Sequence, residues 1–152
     1  MVSALRISEA SQLAIHAVTI IARLSGKAGT EPIKISRLAE LLDASEAHLG
    51  KVMHRLALAK MVTSKRGPDG GFVLGTLAPK TTLLDVYEMF DGPLGHTKCL
   101  LGYRHCPFGG CALGDAVIVA NERLRTILGG KALSDLAAPP IPVSKRKKRR
   151  TP

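Results

Sequence analysis

Around residue 60 the sequence changes its hydrophobic period, and that change restricts the fold more than any other feature. Before it, Leu49, Val52, Met53 and Leu56 recur at i, i+3, i+4 and i+7, the buried stripe of an amphipathic helix. After it, Met61-Val62-Thr63-Ser64-Lys65 and Phe72-Val73-Leu74 read as two extended segments. Gly67-Pro68-Asp69-Gly70-Gly71 lies between them, a dense turn signal that makes a short hairpin with a glycine-rich tip. Upstream, Ser36 is placed to cap a short helix with Leu38, Leu41 and Leu42 facing inward. Asp43-Ala44-Ser45 makes a turn, and Ser45 caps the next helix, which is expected to run to about Lys60. Two short helices across a tight turn, followed by a hairpin, describe a winged helix-turn-helix.

The flanking segments are helical. Ser8 or Ser11 can cap a first helix in which Leu13, Ala17, Ile20, Ile21 and Leu24 recur at helical spacing, and Ser25-Gly26 ends it. Thr82 caps a helix that Asp91-Gly92-Pro93 stops. A last long helix is expected over 112–128, with Leu113, Val117, Ala120, Leu124 and Ile127 at heptad spacing. The expected class is mainly α with a small β-hairpin wing: a winged helix-turn-helix domain plus a long dimerisation helix. The expected division is a DNA-binding domain over 1–92, a cysteine loop over 93–111, a dimerisation helix and helical turn over 112–138, and a disordered basic tail over 139–152. Aromatic residues are only 3% and Trp is absent, so the core must be aliphatic. No apolar run approaches the roughly 20 residues that span a bilayer, and the N-terminus lacks a signal-peptide pattern. The chain is expected to be cytoplasmic, with no membrane partner.

A net charge of +10 invites a nucleic-acid reading, but the charge is uneven. Lys145 to Arg150 form an uninterrupted basic run, without which 16 basic side chains face 12 acidic ones. The case for double-stranded DNA therefore rests on placement. A helix fits the major groove, where residues near its N-terminus reach base edges. Here those are Ser45, Glu46, Ala47, His48 and Lys51. Arg55, Lys60 and the hairpin's Lys65 suit phosphates, and Arg66 beside the slender glycine tip suits a narrow minor groove.

Cys99, Cys106 and Cys111 are the chain's three cysteines, spaced C-x6-C-x4-C. An odd number in a reducing compartment argues against a disulfide framework. Thiolates suit iron–sulfur clusters, and Gly102, Gly109 and Gly110 would let a loop wrap one. The spacing lacks the paired C-x2-C of structural zinc. Spacing alone leaves a cluster, zinc and reactive thiols as alternatives. An enzyme is not indicated: there is no phosphate loop, nucleophile elbow or evident pair of acids, and His105 beside Cys106 is the only dyad. No small-molecule substrate is expected.

The stretch DASEAHLGKVMHRLALAKMVTSKRGPDGGFVLG, residues 43–75, resembles the helix-turn-helix and wing of the IscR, NsrR and RirA regulators, the Rrf-two superfamily. RGPDGGFVLG, residues 66–75, carries it most strongly, and SEASQLAIHAVTIIARL, residues 8–24, is similar to that family's first helix. The resemblance covers residues 8 to about 137. It implies a homodimer, formed through helix 112–128, that regulates transcription as a repressor-type operator binder. It also implies that the three cysteines hold an iron–sulfur cluster, 2Fe-2S or 4Fe-4S, whose state controls DNA binding in response to iron, nitric oxide, oxygen or redox state. The alternative is a cluster-free regulator sensing through thiols or zinc. For the fourth ligand this sequence departs from its relatives. The IscR-type histidine position holds Gly114, and the NsrR-type acid of the partner's first helix aligns with Gln12, a poor iron ligand. Glu9, His16, His96 and His105 are the other candidates.

Overall fold

The computed structural model describes residues 7–25, 31–94, 107, 113 and 115–137. Cys99, Cys106 and Cys111 lie outside the described residues, as do His96, His105, Gly114 and the basic tail.

Helix α1, Glu9–Leu24, is the centre of the fold. Ser8 caps it, its hydroxyl accepting from the Ser11 N–H at 3.2 Å, which satisfies one of the free donors at the helix start. Leu13, Ala14, Ala17, Val18, Ile21 and Ala22 are buried along its inner faces. The small alanines let neighbouring helices approach closely. Helices α2 (Ile35–Leu42), α3 (Glu46–Leu58) and α4 (Leu83–Asp91) all pack on α1.

The helix-turn-helix forms as the spacing predicts, with one difference. Helix α2 starts at Ile35 behind Lys34, without a side-chain cap, and Ser36 lies inside the helix. The cause is long-range: Ile33 pairs with Phe72 through two main-chain hydrogen bonds of 2.9 Å. That bridge keeps the chain extended up to Lys34. At the other end Asp43 is left-handed, with φ of 51°, and the Ala44 N–H donates to the Ala39 carbonyl at 3.0 Å. This closes α2 and turns the chain. Ser45 then caps α3 by accepting from the His48 N–H at 3.2 Å. Leu49, Val52, Met53 and Leu56 are buried as a stripe.

Helix α3 ends at Leu58, before the expected Lys60, which is left-handed at φ 57°. Strands β1 (Val62–Lys65) and β2 (Gly71–Leu74) form the antiparallel wing, with Lys65 opposite Gly71. A Cβ at Gly75 would lie 2.1 Å from the Lys60 carbonyl oxygen. Only glycine lets the wing's return strand pass the end of α3 so closely.

Helix α4 begins with a reciprocal capping box between Thr82 and Asp85 and stops at Gly92, φ 80°. Helix α5 spans Ala116–Gly129, starting later than the expected 112. Leu113 sits in a turn, and the Ala116 N–H closes on its carbonyl at 3.1 Å. After α5 the chain returns to the core. A 3-10 turn, Leu133–Ala137, places Leu133 and Leu136 among the buried residues of α1 to α4.

The architecture is a mainly helical winged helix with one two-stranded hairpin. Among the described residues no helix is long and apolar enough to cross a membrane.

Candidate nucleic-acid interface

The first two turns of α3 gather the residues expected to read bases. Ser45, Glu46, Ala47 and Lys51 are exposed there, and His48 is half-exposed. The stripe that buries Leu49, Val52, Met53 and Leu56 turns these side chains outward, because a helix with one apolar face presents the other to solvent. Lys65 and Arg66 are exposed at the end of β1 and the start of the wing tip. The unpaired N–H groups at the start of α3 add a partial positive charge facing the same way.

Arg55 is differently placed. Its Nη2 donates to the Met89 carbonyl at 2.6 Å, and its guanidinium carbon lies 4.3 Å from the centroid of the Phe90 ring. Met89 is in the last turn of α4, where carbonyls lack intrahelical partners. A cation over an aromatic face and beside a helix C-terminus is doubly favoured. Sequence spacing did not reveal this tie, since 34 residues separate the partners.

The α1 candidates also converge. Glu9, Gln12 and His16 share one face and line an open surface pocket of about 360 Å³, bounded on its other side by Leu41 to Ala44 of the helix-turn-helix. Glu9 Oε1 lies 3.5 Å from His48 Nδ1, so a candidate metal ligand touches the reading helix directly. The Gln12 amide donates to the Ile7 carbonyl at 3.0 Å. His16 Nδ1 lies 2.7 Å from the Gln12 carbonyl. A carbonyl only accepts, so Nδ1 donates to it, and Nε2 is the ring nitrogen left outside that bond. That is the arrangement of a metal-binding imidazole. Among the described residues no group of three or more His, Cys, Asp or Glu could hold a metal ion.

A third junction fastens α1 to α4. The Ser8 N–H donates to Asp91 Oδ2 at 3.0 Å, and the buried Ser11 hydroxyl donates to the Tyr87 carbonyl at 3.3 Å. Burial pushes the Asp91 carboxyl up, but hydrogen bonds from the Ser8 hydroxyl and amide, with a lesser contribution from the nearby Ser11 hydroxyl, outweigh burial. They hold the carboxyl below its usual range.

Comparison with known proteins agrees with this geometry. The profile of the Rrf2 family, described as an iron-dependent transcriptional regulator, matches residues 7–139. The HTH-type transcriptional regulator CymR of Bacillus subtilis is 31% identical over 123 residues, 81% of this chain and 85% of that protein. The HTH-type transcriptional regulator IscR of Klebsiella pneumoniae is 28% identical over 127 residues, 80% of this chain and 74% of that protein. Among solved structures, CymR, the global cysteine regulator of B. subtilis, matches with a TM-score of 0.68 and 25% identity. That match covers 88% of this chain and 97% of CymR. These relatives are transcriptional regulators, not enzymes. The chain belongs to the Rrf2 family of DNA-binding transcriptional regulators, the superfamily that residues 8–137 resemble.

Proposed function

We propose that this chain is a homodimeric regulator whose hold on an operator in double-stranded DNA is set by an iron–sulfur cluster on Cys99, Cys106 and Cys111. The observation that carries the reading is the Glu9–His48 contact: the α1 face that bears candidate ligands abuts the helix that reads DNA. The division follows the chain: 1–92 reads DNA, 93–111 carries the cysteines, 112–138 dimerises, and the basic tail over 139–152 follows. Ser45, Glu46, Ala47, His48 and Lys51 face bases, and Lys65 and Arg66 face the backbone and minor groove. Arg55 is left out of the phosphate set because its guanidinium is held on α4.

Three thiolates leave one ligand position of a 2Fe-2S or 4Fe-4S cluster to another residue, to water or to a small molecule. Among the α1 candidates the contacts favour His16, whose Nε2 takes no part in the Gln12 bond. Glu9 is turned to His48 and the Gln12 amide to Ile7. When bound, such a cluster supplies a centre that reacts with oxygen, nitric oxide or oxidants. The protein's part is to hold the two α3 helices of the dimer at a spacing and tilt that match half-sites about one DNA turn, or ~34 Å, apart.

A cluster-free reading, with the cysteines sensing as thiols or through zinc, is favoured by one observation. The relative that matches at 31% identity is named a global cysteine regulator in its solved structure.

The test is protein purified without air, with its visible spectrum recorded and iron and acid-labile sulfide counted per chain. A brown protein carrying both elements in whole-cluster amounts, lost in Cys106→Ala, is expected. A colourless protein without iron or sulfide after reconstitution overturns the cluster and leaves the thiol or zinc reading.

A further inference from the structure

The last turn of α4 and the residues just after it join three parts of the molecule. From α3, Arg55 reaches the Met89 carbonyl and covers the Phe90 ring. From the start of α1, the Ser8 N–H reaches Asp91. From α5, Arg125 donates to the Leu94 carbonyl, while the Leu94 N–H donates to Glu88 Oε1 at 3.0 Å. Leu94 is buried, and Cys99 follows five residues later in the chain. The segment Met89–Leu94 is thus the approach to the cysteine run. One arginine from the reading helix grips its main chain. A second grips it from α5, the helix that follows the run.

We infer that Arg55 is a positioning residue that sets the tilt of α3 on the segment leading into the cysteines, and so delivers movement of that segment to the reading helix. The inference rests on the regulator reading above. Arg55 lies in the last turn of α3 and the base-facing residues at its cap and in its first two turns. At 1.5 Å per residue, Glu46 and Arg55 are about 14 Å apart along the axis. The helix is hydrogen-bonded throughout, so a tilt imposed at one end moves the other. The buried stripe of Leu49, Val52, Met53 and Leu56 supplies the pivot. Arg55 also explains its own residue type. A planar guanidinium bonds a carbonyl at its edge while its face lies on a ring, which an ammonium cannot do.

The test compares DNA affinity of cluster-loaded and cluster-free protein, for wild type, Arg55→Met and Phe90→Leu, at two salt concentrations. Amide hydrogen exchange over 46–58 is followed in parallel. For wild type, loading is expected to change affinity by about tenfold or more and to change α3 exchange. In Arg55→Met the loaded-to-empty ratio is expected to fall to within about threefold of one, with the salt slope kept and α3 exchange indifferent to loading. Phe90→Leu, which leaves the arginine in place, should shift the ratio in the same direction by less, and it carries the comparison where Arg55→Met does not fold. Equal weakening of both states, with the ratio kept and the salt slope reduced by about one, would make Arg55 a phosphate contact and overturn the inference. A wild type with no loaded-to-empty difference overturns the cluster-control reading itself, and it does so before any variant is made.

Discussion

Helices α3 and α5 are of similar length, yet one buries its apolar stripe and the other buries no residue. Helix α3 buries Leu49, Val52, Met53 and Leu56 almost completely. Helix α5 has no buried residue, and its Val119 and Ile127 are 54% and 48% exposed, as is the preceding Leu113 at 48%. Both carry apolar residues at helical spacing. The difference is where the complementary surface comes from. Helix α3 finds it on α1 and the wing, which leaves its polar face for DNA. Among the described elements helix α5 packs mainly on α4, and its exposed apolar residues match the pairing with a second copy expected from the family resemblance.

Three substitutions break or sharpen that contrast. The largest effect is expected from Leu49→Ala, which empties a fully buried site in α3. It should destabilise the fold by about 2–5 kcal/mol in a urea or thermal melt, whereas the same truncation of Val119, melted at a concentration where the chain is monomeric, should cost under about 0.5 kcal/mol. A large loss at Val119 would mean that α5 is closed within one chain. Val119→Glu should instead act on assembly. It should raise the dimer dissociation constant by about tenfold or more in sedimentation and leave helix content unchanged. An unaltered dimer would move the interface elsewhere.

The smallest effect concerns the tie between α1 and α4. Asp91 is held below its usual range in the folded state. Its contribution is therefore fully present above the unfolded-state value of about 3.9 and is lost as pH falls through the depressed folded value. Asp91→Asn should flatten the acid limb of the stability profile in that window and lower the plateau slightly. An acid limb identical to wild type would show that the Ser8 bonds do not favour the carboxylate.

The parts of this fold visible in the sequence are those set by local chemistry. Ser45 caps α3, the i, i+3, i+4, i+7 stripe buries it, and the glycine-rich tip turns the wing. What was hidden depends on partners far along the chain. The α2 start moved off Ser36 because Ile33 pairs with Phe72, 39 residues on. Arg55 looked like any cation on an outer helix face, and its engagement with Met89 and Phe90 leaves no periodic trace. The same holds for Glu9, which reads as a first-turn acid favouring the helix dipole until His48 is found beside it. The cysteine run is the reverse case. Its clustering is plain in the sequence, while its three thiols lie outside the described residues.

The account stands most directly on operator affinity measured without air. A duplex enriched from a random-sequence pool by the protein itself would be titrated with cluster-loaded and cluster-stripped wild type at one salt concentration. The account predicts affinities that differ by about tenfold or more, and a Cys106→Ala variant that behaves like the stripped protein under both treatments. Equal affinities for the loaded, stripped and Cys106→Ala proteins would contradict it.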